Sequence, residues 1–204
     1  DHYAQYLFQG SVVSRVTCEA CRNCTATVDP VEDFSLEISQ VDTVQEALRR
    51  FTAEERLTDS NRCLCERCQG KQCAVKQTTI RTLPEVVTIQ LKRFDAQGGT
   101  GAKIRKRVRF PEQLDMGPYM EGGSATGAGR PTMLQLCGIV VHRGKTANSG
   151  HYYAYVKGKD KWCIMNDERV SETTPHQARA AQAYMLFYRN PNPTRVEHVK
   201  QATT

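Results

Sequence analysis

Apolar and polar positions alternate with a period of two over much of the chain, the pattern of half-buried strands. "VVSRVTCEACRNCTATVDPVEDFSLEIS" interleaves β-branched residues with a Cys-x-x-Cys knuckle and resumes as an extended run through Phe34, Leu36 and Ile38. The period changes at "DTVQEALRRFT", where Val44, Ala47, Leu48 and Phe51 fall at i, i+3, i+4 and i+7. Thr43 and Glu46 have capping-box spacing, so a helix is predicted there. Strand-like segments follow up to Phe94, then "DAQGGTGA" as a flexible connector. "KIRKRVRF" comes next, an edge strand turning Ile104, Lys106, Val108 and Phe110 one way and Lys103, Arg105, Arg107 and Arg109 the other. Residues 117–131 hold five glycines without periodicity and read as a surface loop. "MLQLCGIVVH", "HYYAYVK", "KWCIM" and "AYMLFYR" read as four further strands, with a short helix started by Thr174 and Pro175 before the last. No internal repeat is seen. The pattern predicts an α+β fold built on mostly antiparallel strands.

The hairpin at "NSGHYYAYVKGKDKWCIMND" brings chemistry into view. Read as a two-residue type II′ turn at Gly158-Lys159, it places Lys157 opposite Asp160, Tyr155 opposite Trp162 and His151 opposite Asn166. Directly opposed residues share a face, while Asp167 points to the other. An Asn carbonyl that fixes one ring nitrogen leaves the other free to take a proton, which is the base-and-orienter half of a nucleophilic triad. The plainer alternative is a histidine merely satisfied at a strand end.

Nine cysteines change the picture more than the charge does. An odd count, clustering and the lack of a secretory segment argue against a disulfide framework and for a reducing, intracellular compartment. Cys18 and Cys21 form one Cys-x-x-Cys pair and Cys65 and Cys68 another, with 43 residues between the pairs. Two such knuckles close one tetrahedral Zn²⁺ site, with redox thiols as the alternative. Cys24, Cys63 and Cys73 lie near enough to leave the ligand set open. Cys137 and Cys163 sit in apolar strands and read as small buried hydrophobes. The net charge of +6 suits an acidic partner without making a case for nucleic acid. No apolar run is long enough to span a membrane, so a soluble protein is expected.

With these residues placed, the chain resembles the ubiquitin-specific protease family of deubiquitinating cysteine peptidases. The resemblance rests on "SRVTCEAC", "DPVEDFSLEI", "CERC", "AVKQTTIRTLPEVVTIQLKRF", "VRFPEQLDM", "VVHRGKTANSGHYYAYVK", "KWCIMNDERV" and "AYMLFY", in family order over about residues 8–190. It implies a papain-like hand fold, with zinc-bearing fingers in residues 1–91 that grip ubiquitin. Residues 92–190 would be the palm with the catalytic histidine, and 191–204 a tail. It implies His151 as general base, Asn166 as its orienting residue where many members carry Asp, and Phe94 and Tyr152 as linings of the channel for ubiquitin's tail. The expected partners are ubiquitin or ubiquitinated proteins, in the cytoplasm or nucleus.

One departure is large. The family's nucleophilic Cys sits in a box reading about Gly-Asn-Thr-Cys-Tyr, and no such string occurs among these 204 residues. Nor does the helical thumb that follows it. The expectation is a chain that supplies the base, the orienting Asn and the fingers, inactive without an N-terminal half carrying the nucleophile. The alternative is a catalytically inactive module that binds ubiquitin or a partner. A nucleic-acid reading of the knuckles and "KIRKRVR" is disfavoured, since no aromatic platform is interleaved with the basic residues. The same string has the composition of a nuclear import signal.

Overall fold

The computed structural model describes residues 5, 7–94, 103–123, 132–146 and 149–193. Its strands in chain order begin with β1 (Gly10–Cys18), β2 (Cys24–Val31), β3 (Phe34–Glu37), β4 (Glu54–Leu57), β5 (Cys63–Cys65), β6 (Gly70–Gln72) and β7 (Ala74–Thr82). There follow β8 (Val86–Lys92), β9 (Gln113–Asp115), β10 (Met133–Thr146), β11 (Ser149–Lys157), β12 (Trp162–Asn166), β13 (Arg169–Thr173) and β14 (Met185–Arg189). A four-stranded sheet runs β2-β1-β7-β4, and β5 and β6 form a small hairpin beside it. An eight-stranded sheet runs β13-β12-β11-β10-β14-β8-β3, with β9 on β10. Among the described strands every pairing is antiparallel except β3 with β8.

The long sheet has a clear core face. Leu186 pairs with Ile89 and Ile139, and Tyr188 pairs with Val87; all five are buried. Val12 and Ile80 of the four-stranded sheet belong to the same hydrophobic cluster. Both β3 and β8 come from the N-terminal 92 residues yet are strands of the eight-stranded sheet, so hydrogen bonding runs between the two stretches expected to divide at residue 91/92. On sequence alone the partners of β3 were invisible, because they lie about 50 residues away.

The predicted helix is α1 (Val44–Phe51). Its capping box is made, Glu46 N–H donating to Thr43 Oγ1 at 3.1 Å and Thr43 N–H to Glu46 Oε2 at 3.2 Å. The backbone amides of Asp42 and Thr43 hold the Glu46 carboxyl below its usual range. Val44, Ala47 and Leu48 are buried and Phe51 half-buried, as the periodicity requires. The second helix, α2 (Pro175–Ala180), is capped by Thr174, whose Oγ1 accepts from Gln177 N–H at 3.2 Å.

Three expectations need correction. "KIRKRVRF" is not a regular strand: its β-pairing among the described residues is limited to isolated bridges at Lys103 and Arg109, although Val108 and Phe110 turn in and Arg105, Arg107 and Arg109 turn out as the alternation says. Residues 117–123 are more than a surface loop, since a 3-10 turn over Gly117–Tyr119 buries Tyr119 and Glu121 N–H donates to Ile80 O. The turn between β11 and β12 has four residues, closed by Gly158 N–H on Lys161 O at 2.9 Å. Among the described glycines only Gly122 has a positive φ, so Gly158 does not make the type II′ turn. The register therefore slips by two: Lys157 faces Trp162 and Tyr155 faces Ile164. The connector 95–102, residues 124–131 and most of the expected tail lie outside the described residues.

Candidate active site and metal centre

A slip of two residues keeps every side chain on its face, whereas a slip of one would have reversed them. His151 on β11 and Asn166 at the end of β12 thus still share a face, and His151 Nε2 is hydrogen-bonded to Asn166 Oδ1. An amide oxygen accepts, so Nε2 carries the proton and Nδ1 keeps its lone pair. Both residues are exposed, at the open end of the sheet where β10 pairs Arg143 with His151. Asp167 does not follow strand alternation. Its φ of 53° puts it in the left-handed turn before β13, and its Oδ2 lies 3.7 Å from His151 Nε2. A carboxylate therefore stands near the imidazole from the position that alternation would have turned away. Among the described residues no cysteine is hydrogen-bonded to His151. Cys137 donates to Phe187 O, and burial pushes its thiol pKa up.

Phe94 and Tyr152 converge on a third residue, His142. The ring of His142 lies 5.3 Å from Phe94 and 4.7 Å from Tyr152, and Tyr184 closes the group at 6.0–6.3 Å from Tyr152 and His142. His142 and Tyr152 are directly paired, on the opposite face of the sheet from His151. Tyr152 is about half exposed, at 48%, so this cluster has an open side. Arg93 anchors the segment beside Phe94: it is buried and donates to the carbonyls of Ala183, Ile104 and Lys106. Burial lowers its pKa to about 10, which still leaves it charged at neutral pH. Neither placement is legible from local pattern, since His142 ends an apolar strand run and the partners of Arg93 lie 11 to 90 residues away.

The two knuckles meet. The sulfurs of Cys18, Cys21, Cys65 and Cys68 all lie within 4.8 Å of one another. Cys18 Sγ is 4.0 Å from Cys68 Sγ, and Cys21 Sγ is 3.6 Å from Cys65 Sγ. Four sulfurs at about 2.3 Å around a tetrahedral ion would stand about 3.8 Å apart. The knuckles share a backbone device: Arg22 and Gln69, each following the second cysteine of its pair, have φ of 61° and 51°. The Cys68 backbone amide draws the Cys65 thiol down to about 7, while the neighbouring thiols push Cys68 up to about 12. A bound dication would favour the thiolate form of all four cysteines. The residues fit a metal ion, and Cys24, Cys63 and Cys73 stand outside the cluster.

The family profile described as ubiquitin carboxyl-terminal hydrolase matches residues 2–188. The chain belongs to the ubiquitin carboxyl-terminal hydrolase family. Among its relatives, ubiquitin carboxyl-terminal hydrolase 23 of Arabidopsis thaliana is 39% identical over 184 residues, 89% of this chain and 21% of that protein. Ubiquitin carboxyl-terminal hydrolase 42 of Homo sapiens is 38% identical over 183 residues, 89% of this chain and 13% of that protein. The fold is similar to that of the SAGA Ubp8/Sgf11/Sus1/Sgf73 DUB module bound to ubiquitin aldehyde, with a TM-score of 0.80 and 34% identity over 94% of this chain and 43% of that one. A yeast SAGA DUB module carrying an Sgf73 variant gives a TM-score of 0.81 at the same identity, over 94% and 42% of the two chains. This ubiquitin carboxyl-terminal hydrolase chain thus spans less than half the length of the relatives it matches. Its strand-rich architecture with a four-cysteine cluster is that of the ubiquitin-specific protease hand fold. Among the described residues, no helix is long and apolar enough to cross a membrane.

Proposed function

We propose that this chain is the base-bearing part of a thiol-dependent deubiquitinase that cleaves the peptide or isopeptide bond after ubiquitin's terminal glycine. The observation that carries the reading is the bond from His151 Nε2 to Asn166 Oδ1 within a family match, because it leaves Nδ1 as the free lone pair. His151 Nδ1 takes the proton of a cysteine thiol supplied by a segment outside these 204 residues. The thiolate attacks the glycine carbonyl, the imidazolium returns its proton to the departing amine nitrogen, and a thioester remains. A water molecule then gives a proton to Nδ1, attacks the thioester and releases ubiquitin, and the proton passes back to the thiolate. Asn166 fixes the tautomer throughout, and Asp167 offers the charge that an amide lacks.

Zn²⁺ in the four-cysteine cluster is structural in this reading. It ties the end of β1 to the β5–β6 hairpin, so that residues 10–82 present a rigid sheet to the globular body of ubiquitin. Phe94 and Tyr152 border the path of the ubiquitin tail. An intracellular site of action follows from the free thiols.

The test is to give the purified chain a ubiquitin carrying a fluorogenic amide at its C-terminus, with and without the nucleophile-bearing segment added in trans. Turnover only when both are present supports the reading. Stable ubiquitin binding without turnover in the assembled domain would favour an inactive binding module.

A further inference from the structure

His142 is a buried titratable group that the mechanism does not use. It is 2% exposed, and among the described residues neither ring nitrogen has a hydrogen-bond partner. A buried imidazole ordinarily fixes at least one nitrogen, so this ring is held by shape. Phe94, Tyr152 and Tyr184 wall it in, and Lys103 Nζ donates to its backbone carbonyl at 2.6 Å. Its remaining side faces two glycines. A Cβ placed on Gly150 would stand 2.1 Å from His142 Nε2, and one on Gly144 would stand 2.7 Å from Cε1. Gly150 immediately precedes His151, so the ring occupies the space beneath the residue that delivers the base.

We infer that His142 is a positioning residue for His151: a close-fitting spacer, clamped by three aromatic rings, that sets the backbone height of Gly150 and thereby the reach from His151 to Asn166. The inference rests on the reading of His151 as the base. Gly150 is required chiefly because the imidazole fills the place of its side chain, with the Arg143 carbonyl oxygen the next contact at 3.0 Å, and not for left-handed backbone, since its φ is not positive. The ring works as a neutral group, consistent with the lowering of its pKa by burial and by the Lys103 ammonium.

The test is steric and reciprocal. Nitrogen-detected NMR of the full chain reads whether His151 keeps its proton on Nε2, a signal that does not depend on turnover. Gly150→Ala is expected to abolish the fixed tautomer, and His142→Ala combined with Gly150→Ala to restore it. In the assembled catalytic domain, Gly150→Ala should lower kcat about a hundredfold with KM within about twofold, the cost of displacing a reacting group by about 1 Å, and the double variant should recover most of it. Should Gly150→Ala fail to fold, His142→Ala alone decides: it is expected to mix the His151 tautomers and speed exchange of the Nε2 proton. A wild-type tautomer in Gly150→Ala, a double variant as disrupted as Gly150→Ala, or His142→Ala indistinguishable from wild type would each overturn the inference. None of these results would touch the assignment of His151 as the base.

Discussion

Asn166 lies two residues short of the position directly opposite His151 in the β11–β12 register, yet its side-chain oxygen holds His151 Nε2. The contact is diagonal, over a Cβ separation that such pairs typically set at about 7–8 Å, and it needs both side chains to lean toward each other. Each is therefore sensitive to the length of its partner.

That geometry separates two substitutions. Asn166→Ala frees the imidazole to rotate and exchange tautomers, and is expected to lower kcat about a hundredfold, within the usual range for a compromised general base. Asn166→Asp keeps the length and adds charge, so turnover should stay within about tenfold of wild type. Steady-state hydrolysis of a fluorogenic ubiquitin amide by the assembled domain distinguishes them.

In the proposed mechanism Asp167 acts by charge rather than by contact, since it stands 3.7 Å from His151 with a side chain 75% exposed. Asp167→Asn should reduce kcat less than about fivefold at low salt, and the difference should fade near ~1 M salt, where the Debye length falls to about 3 Å. Rates measured across a salt series check this.

The buried His142 makes stability depend on pH. Its folded pKa lies below the ordinary value of about 6.5, so the unfolded chain binds the proton first as pH falls. The stabilisation is fully present above about 6.5, is lost as pH drops below it, and levels off beneath the folded pKa. Melting temperatures from pH 8 to 5 should show that decline, and His142→Leu should flatten it.

The four-cysteine cluster predicts one equivalent of Zn²⁺ per chain by elemental analysis. Cys65→Ser or Cys68→Ser should lose the metal and on the order of 10 kcal/mol of local folding free energy, unravelling the end of β1 and the β5–β6 hairpin. Cys24→Ser, outside the cluster, should leave metal content and melting temperature unchanged.

What could be read beforehand was whatever local spacing determines. The α1 cap, each Cys-x-x-Cys knuckle, and the shared face of His151 and Asn166 depend on residues close in sequence or on a period of two, and the two knuckles, 44 residues apart, could be matched because four thiolates are what one tetrahedral ion takes. The contact between His151 and Asn166 is compatible with the longer turn only because the register slip is even. Asp167 escaped because alternation stops where φ turns positive. The burial of Tyr119 was hidden by the glycines around it, and the packing of His142 against Gly150 by the length of hairpin between them. Pairing of β3 with β8 is non-local, and no pattern within either strand encodes it.

The role of His151 as the base is tested most directly by His151→Ala in the assembled catalytic domain with ubiquitin bearing a C-terminal fluorogenic amide. With His151 as the base, kcat should fall about a thousandfold or more while zinc content and ubiquitin affinity are retained. Turnover within about tenfold of wild type would contradict that role.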